Sequence, residues 1–500
     1  MVQLHAVHDL GGGIAGWLES FCRADTERVN LVLKPYSISH AYAEGLMLYA
    51  ADDLVQPLRM LPFARPISAT ALSHDEYREA VADIVRDFNV QAVLVSSFIG
   101  HALDILTTGL PTLVINHDFY PTCPAINLYF REVCRSCDAA RLTDCATRNT
   151  DFNSPYRVFP VAHRLSIRAG LISRVLSNPV TMVVPTDSTR RHLLEITPEL
   201  RDVRFEVIPH GNLPILRAVP PPSRGREARL RILILGIQSV TKGMNLLFEV
   251  LQELSGFADI YLVGAQEAGE LFRYRHGVHV VDHYAMDALP VIVEEIAPDL
   301  GLLMSTWPET FSYTLSELMQ MRVPPVATRI GAFADRIRDG ENGILFEPNP
   351  VALLDCLRGI DVNRNRLTEI RWQLEREPER SLQAMVADYH HLLPCPVPAI
   401  GSGTGQVMSE ASSALAVATL AAVREWKAVR GLGVRIDMKE GRLREVCAEV
   451  ENLRRDMERL RRDLEHRDHL IAEILASTTW RVSGPVRWFG RMLKRILRKS

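Results

Sequence analysis

Glu309 and Glu317 stand with seven residues between them in WPETFSYTLSELMQM, where the pattern turns from a strand end into a helix over Thr310 to Thr314. At such a junction the first backbone N–H groups of the helix, at about Tyr313 to Leu315, lack carbonyl partners, and with the helix dipole they form a ready anion site. Glu317, about one turn inside, is placed to accept hydrogen bonds from hydroxyls beside that anion. Glu309, before the turn, faces whatever the anion carries. Upstream, RILILGIQSVTKG ends a strand in glycine and then offers the cation Lys242 beside Gly243, a residue that lets backbone approach closely. Two glutamates at this spacing also occur on solvated helix faces. The weight comes from the surrounding order of strand, S-T-W-P-E, aromatic turn, helix, Val-Pro-Pro-Val strand, Gly-Ala turn and N-G-I-L-F.

A second set of candidates lies near the start. HDLGGGIAGW puts Gly11, Gly12 and Gly13 between a strand and a helix, as a tight turn or a loop approached by phosphate requires. His101 and the pair His117-Asp118 follow the strands QAVLVSS and TLVIN, at ends where a histidine is either a satisfied polar residue or an active-site group. Cys123, Cys134, Cys137 and Cys145 fall close together, with one C-x2-C pair. Four such thiols can supply the tetrahedral ligands of a structural zinc, and the alternatives are buried free thiols or a redox pair. No G-x-S-x-G elbow, Walker loop or H-E-x-x-H is present, which argues against a hydrolase, a P-loop enzyme and a zinc protease.

The elements that must position these residues alternate from the first residue. Short aliphatic runs (VQLHAVH, QAVLVSS, TLVIN, TMVVPT, FEVIP) are interleaved with helical patterns from Ile14, in ALDILTT and in STRRHLLEI. This βα rhythm predicts a parallel sheet covered by helices. It stops at the proline-rich stretch 214–229, a hinge, and restarts with RILILG, a helix from Lys242 to Leu254, DIYLVG, VHVVD, LGLLM, a helix near Ser312 to Met321, and PPVAT. The expected fold class is therefore α/β, with two facing Rossmann-like domains over 1–213 and 230–393, whose ligands bind in the cleft between them at the carboxyl ends of the strands.

The chain of 500 residues, 47 % hydrophobic and 23 % charged, can bury two or three cores and is neither disordered nor a disulfide scaffold. Eight cysteines in this length and a start that runs directly into a strand predict a reducing cytoplasm. No apolar run reaches the roughly 20 residues of a membrane span. Beyond a linker and helix at 394–434, Leu443, Val446, Val450, Leu453, Met457, Leu460, Leu464, Ile471 and Ile474 recur at heptad spacing and predict a coiled coil over 435–476, and hence a homodimer. The last segment, 477–500, interleaves seven cations with Trp480, Trp488, Phe489 and aliphatic residues. It reads as a basic amphipathic helix meeting an anionic membrane surface, or else as a solvated end or a helix docked on a partner protein. Without those seven cations the body carries about −10, which argues against nucleic acid as a partner.

Taken together, the motifs from Trp307 to Phe346 and the loop ending in Lys242-Gly243 resemble those of the retaining glycosyltransferases of family 4, which have the GT-B fold. The resemblance covers about residues 1–390 and is tightest over 230–350. It implies transfer of a sugar from a nucleotide-diphospho-sugar to a glycan or lipid-linked acceptor, of the kind used in bacterial surface-polysaccharide synthesis, at the inner face of the membrane. By that resemblance Lys242 neutralises the diphosphate and Gly243 admits the backbone to it. Ser312, Tyr313, Thr314 and Leu315 bind the distal phosphate, Glu317 the ribose and Glu309 the sugar ring, while Gly12 and Gly13 lie against the phosphates. His117 reaches the donor sugar or the acceptor hydroxyl, with His101 and Asp118 on the acceptor side.

A fixed cation removes the need for a catalytic metal, and no D-x-D motif sits on a strand end to bind one. Whether Glu309 acts as a nucleophile or as an electrostatic support stays open; the family is usually described as reacting from the leaving-group face. Two departures stand out: Ile237 and Gln238 replace the arginine that many members carry after the first strand's glycine, and the usual double glycine reads Gly331-Ala332, followed by Asp335. Either Lys242 acts alone or another arginine substitutes. The rivals are a nucleotide-sugar epimerase and an inactive scaffold that recruits other transferases through the coiled coil.

Overall fold

The computed structural model describes residues 1–36, 42–149, 160–215, 228–377 and 379–394. The coiled coil and the basic tail lie outside these residues. All described residues belong to one compact unit, Met1–Ala416.

The first sheet has eight strands in the order Phe205–Val207, Val180–Val184, Thr112–Ile115, Ala92–Val95, Val2–Ala6, Val29–Tyr36, Tyr42–Ala50 and Arg59–Ser68. The first six are parallel, and the last two add an antiparallel edge. That edge is absent from the sequence reading, as is the strand Val29–Tyr36. ALDILTT, read as helical, forms only a 3-10 turn at Leu103–Thr107.

The second sheet is wholly parallel, in the order Val278–Val281, Ala258–Val263, Leu230–Leu235, Leu300–Leu303, Pro325–Thr328 and Ile344–Phe346. Leu300–Leu303 and Pro325–Thr328 are buried along their whole length, as strands covered by helices on both faces must be. The strand order reverses between Leu230–Leu235 and Leu300–Leu303. At such a switch point the loops leaving the two strands part to opposite faces and leave a crevice.

The domains share a crossover of two chain segments. On the outward pass Asn212 N–H donates to the Arg380 carbonyl at 3.0 Å, and Asn212 pairs with Ser381 as an isolated parallel bridge. A side chain on Gly211 would stand 2.6 Å from the Ser381 carbonyl, so the two passes touch backbone to backbone. After the return pass the helix Leu382–Leu392 buries Leu382, Met385, Val386 and Tyr389 against Trp17 and Phe21 of the first domain. The first domain's core thus recruits a helix that chain order assigns to the second.

Candidate active site in the interdomain cleft

Lys242 and Glu309 meet at the switch point. Lys242 leaves Leu230–Leu235 through the loop 236–243, Glu309 follows Leu300–Leu303, and Lys242 Nζ donates to Glu309 Oε1. Ser305 Oγ donates to the same oxygen at 2.7 Å. The carboxylate is buried, while the ammonium is 41 % exposed and lies over the Trp307 ring at 5.8 Å. Glycine at 243 is obligatory, since its φ is +88° and a Cβ there would fall 2.2 Å from the Met304 carbonyl oxygen. Gly331 is equally constrained, at φ +56°, because a Cβ would fall 2.6 Å from the carbonyl of Glu309. Ala332 is buried at the start of its helix and donates its N–H to that carbonyl at 2.8 Å. The second glycine of the pair is therefore dispensable here.

The helix Tyr313–Gln320 begins beside this pair, with Leu315 and Leu318 packed inward. Ser312 caps it at φ +69°, its Oγ accepting the Leu315 N–H at 3.3 Å and lying 3.0 Å from Thr314 Oγ1. The amides of Tyr313 and Thr314 precede any intrahelical carbonyl partner. Glu317 lies one turn in; its Oε2 is buried without a hydrogen-bond partner, and burial lifts its pKa to about 7. Gln238 Oε1 and Trp307 Nε1, in the same half, are also buried without a hydrogen-bond partner.

The first domain presents the start of the helix Gly12–Ala24, which is anchored by buried Ile14, Trp17, Leu18 and Phe21. Gly11 and Gly12 both have positive φ, +73° and +72°, with open space around their Cα atoms. A Cβ on Gly13 would lie 4.0 Å from the Tyr313 ring, so the two helix N-termini face each other across the cleft.

His117 presses its ring against Trp17, with centroids 4.8 Å apart, and against His210 at 5.1 Å. His210 in turn touches Phe311 at 4.8 Å and stacks on Tyr313 at 5.9 Å. His117 Nε2, His210 Nδ1 and Trp17 Nε1 are buried without hydrogen-bond partners. Desolvation pushes the His117 pKa down to about 3 and that of His210 well below the usual range, so both rings are neutral at pH 7. Asp118 accepts the Tyr120 N–H at 2.8 Å, and burial raises its pKa to about 6.

His101 does not join this group. Its two ring nitrogens are engaged, Nε2 with the Val7 carbonyl at 2.9 Å and Nδ1 with Tyr77 Oη at 3.0 Å, so it braces the core and is not an acceptor ligand. Trp17 and His210 escaped the sequence reading. The signal for His210 was its place directly after the strand run FEVIP, at a sheet's carboxyl edge.

The halves are tied together at the site itself. Thr310 Oγ1 donates to the His117 carbonyl at 2.6 Å, and the Thr310 carbonyl accepts from Thr186 Oγ1 at 3.1 Å. Asp335 accepts the Ser188 N–H at 2.6 Å and pairs with Arg191 at 3.0 Å. Asp335 thus acts as a cap across the domain boundary.

Cys123, Cys134, Cys137 and Cys145 gather around one small core beside Phe119 and Phe130. Three of the sulfurs receive an N–H donor: Cys134 from Arg141 (3.6 Å), Cys137 from Arg168 (3.3 Å) and Cys145 from Asn149 (3.4 Å). Among the described residues, however, no three His, Cys, Asp or Glu side chains are arranged to hold a metal ion. Zinc would have to draw the sulfurs together from where they stand.

This architecture has relatives among solved structures. Sucrose-phosphate synthase from Thermosynechococcus elongatus superposes with a TM-score of 0.50 at 13 % identity, covering 79 % of this chain and 98 % of that one. Anabaena HepE, whose structure contains UDP and glucose, superposes with a TM-score of 0.51 at 15 % identity, covering 78 % and 98 %. The fold is GT-B. Residues 229–360, the half that carries Lys242, Glu309 and Glu317, match the family model described as Glycosyl transferases group 1. No curated protein matches the chain. Within the GT-B frame the cleft just described is the space between the two sheets' carboxyl edges. Among the described residues no helix is long and apolar enough to cross a membrane.

Proposed function

We propose that this protein is a retaining glycosyltransferase that moves a sugar from a nucleotide-diphospho-sugar to an acceptor hydroxyl. The observation that carries the reading is the convergence at the switch point of a lysine, two glutamates and a helix N-terminus, within the stretch that resembles the glycosyltransferase group 1 model.

In this reading the diphosphate takes Lys242 from Glu309 and rests on the amides of Tyr313 and Thr314. Glu317 accepts hydrogen bonds from ribose. Glu309, released from Lys242 but still held by Ser305, turns to the sugar ring. The anomeric carbon–oxygen bond to the phosphate breaks, the acceptor oxygen bonds to that carbon on the same face, and the acceptor proton passes to the departing phosphate oxygen. Lys242 and the helix N-terminus stabilise the charge that develops on the leaving group, the electrostatic work that fixed dipoles do best. His117, neutral, offers a hydrogen bond to a sugar hydroxyl and no fixed charge.

The acceptor is proposed to be a glycan or lipid-linked glycan of a bacterial surface polysaccharide. The cytoplasmic setting, the homodimer and membrane contact through the tail belong to the same proposal. Zinc on the four cysteines is proposed as well, as a structural ion; the N–H donors at Cys134, Cys137 and Cys145 suit thiolates. The test of the function is incubation with labelled nucleotide sugars, reading transfer and donor hydrolysis. Turnover of at least one donor is expected, and a protein that binds and turns over none contradicts it.

A further inference from the structure

The phosphate turn is built around a residue that dislikes its own conformation. Ser312 sits at φ +69°, where a side chain crowds the backbone and an L-residue needs support from outside. That support comes from one arginine of the following helix, Ala332–Arg336. Arg336 Nη1 donates to the carbonyls of Phe311 at 2.8 Å and Ser312 at 3.0 Å, and Nη2 donates to Ser316 Oγ at 2.7 Å. The guanidinium plane lies 4.0 Å from the Phe311 ring centroid. Its two terminal nitrogens lie in one rigid plane, so a single group holds both carbonyls through Nη1 and Ser316 through Nη2, where a lysine ammonium would offer one nitrogen for all three.

Across a trans peptide the N–H stands opposite the carbonyl, so with the Phe311 and Ser312 carbonyls held on Arg336 the N–H groups of Ser312 and Tyr313 point away from it, and that of Tyr313 opens the helix N-terminus. The charge of Arg336 is balanced locally by Glu379 at 3.4 Å, so its contribution at the turn is shape. Glu379 accepts in turn from Asn212 Nδ2 at 2.9 Å, which braces the turn against both passes of the interdomain crossover.

We infer that Arg336 is a positioning residue for the donor: it holds the Phe311–Ser312 turn in the form that aims the Tyr313 and Thr314 amides at a nucleoside diphosphate. This inference rests on the nucleotide-sugar reading above.

The test is calorimetry with UDP, GDP, ADP and TDP, each beside its own nucleoside. For the diphosphate that the parent protein binds most tightly, Arg336→Gln is expected to raise Kd at least tenfold while nucleoside affinity stays within threefold. Adding Ser312→Gly to that variant should bring the diphosphate Kd back to within threefold, because glycine holds a positive φ without support. Global damage would not be repaired by a glycine. An unchanged diphosphate Kd in Arg336→Gln, an equal loss of nucleoside and diphosphate, or no recovery with Ser312→Gly overturns the inference. Should Arg336→Gln fail to fold, Arg336→Lys decides: a fivefold or larger loss of diphosphate affinity supports the role, and parental affinity overturns it. A parent protein that binds none of the four diphosphates overturns the nucleotide-sugar reading, and this inference with it.

Discussion

Lys242 donates its ammonium to the Glu309 carboxylate across the crevice between two adjacent strand ends, so the cation and the acid proposed to act on the donor hold each other. The pair is asymmetric: Glu309 is buried and retained by Ser305, whereas Lys242 is half exposed and free to turn outward. In the proposed reaction a diphosphate therefore competes for Lys242 and not for Glu309.

Glu309→Gln and His117→Ala should lower turnover more than donor affinity, since both groups are proposed to act on the reacting sugar and not on the nucleotide. His210→Ala belongs with them, because its ring backs His117 and lies against Phe311 and Tyr313 of the phosphate turn. Steady-state kinetics on folded protein decide the matter. Three variants with parental kcat would move the catalytic residues elsewhere.

Glu317 gives a pH dependence whose sign is fixed by burial. Its pKa is about 7 in the folded protein against 4.5 for the ordinary side chain, so between these values the folded state holds more protons than the unfolded one. Stability should fall as pH rises through that window, at up to about 1.4 kcal/mol per pH unit from this group. Glu317→Gln should flatten the fall, as measured by denaturant unfolding between pH 5 and 8. An equal slope in both proteins would show that Glu317 is solvated.

The glycines separate two kinds of cost. Gly12→Ala meets only an unfavourable positive φ in open space and should lower stability by about 1–2 kcal/mol. Gly243→Ala meets the same conformational cost and also the Met304 carbonyl at 2.2 Å, so it should cost more and disturb the donor loop. Thermal melting of the two variants ranks them. Equal stability would contradict the close packing of the Lys242 loop on Met304.

Much of this architecture is legible in the residues because parallel strands buried on both faces leave unbroken aliphatic runs, as in RILILG and LGLLM. The edge strand Arg59–Ser68 is not legible: it carries Pro62 and Pro66 and alternates between half-buried and exposed residues, a weak signal. Nor does the sequence reveal that Leu382–Leu392 packs on the first domain, because an apolar stripe at helical spacing does not name its partner. The donor side is legible in short local motifs, the loop ending in Lys242-Gly243 and the stretch from Trp307 to Phe346. His210 and Trp17 come from distant segments and meet only in three dimensions, and Arg336, although inside the motif stretch, reaches the turn only through the fold. His101 looks like His117 in sequence, both being strand-end histidines; hydrogen bonds with the Val7 carbonyl and the Tyr77 hydroxyl at both ring nitrogens of His101 separate them.

The cysteine cluster predicts about one zinc per chain in protein purified without added metal, with chelation lowering the melting temperature. In metal-free protein, burial raises the thiols of Cys123, to about 12, and of Cys134 and Cys145, so they should react slowly with alkylating reagents below that range. Metal analysis and thiol titration read both. Four free, slowly reacting thiols in stable, metal-free protein would make the cluster a plain hydrophobic core.

The central claim is that the second domain binds a nucleotide sugar through Lys242 and Glu317, and calorimetric titration of nucleotide sugars into the parent protein, Lys242→Ala and Glu317→Ala tests it most directly. Saturable binding to the parent is expected, with a loss of about 1.5–3 kcal/mol in each variant, the cost of one charged hydrogen bond. Parental affinity in both folded variants, or a parent protein that binds no nucleotide sugar, would contradict it.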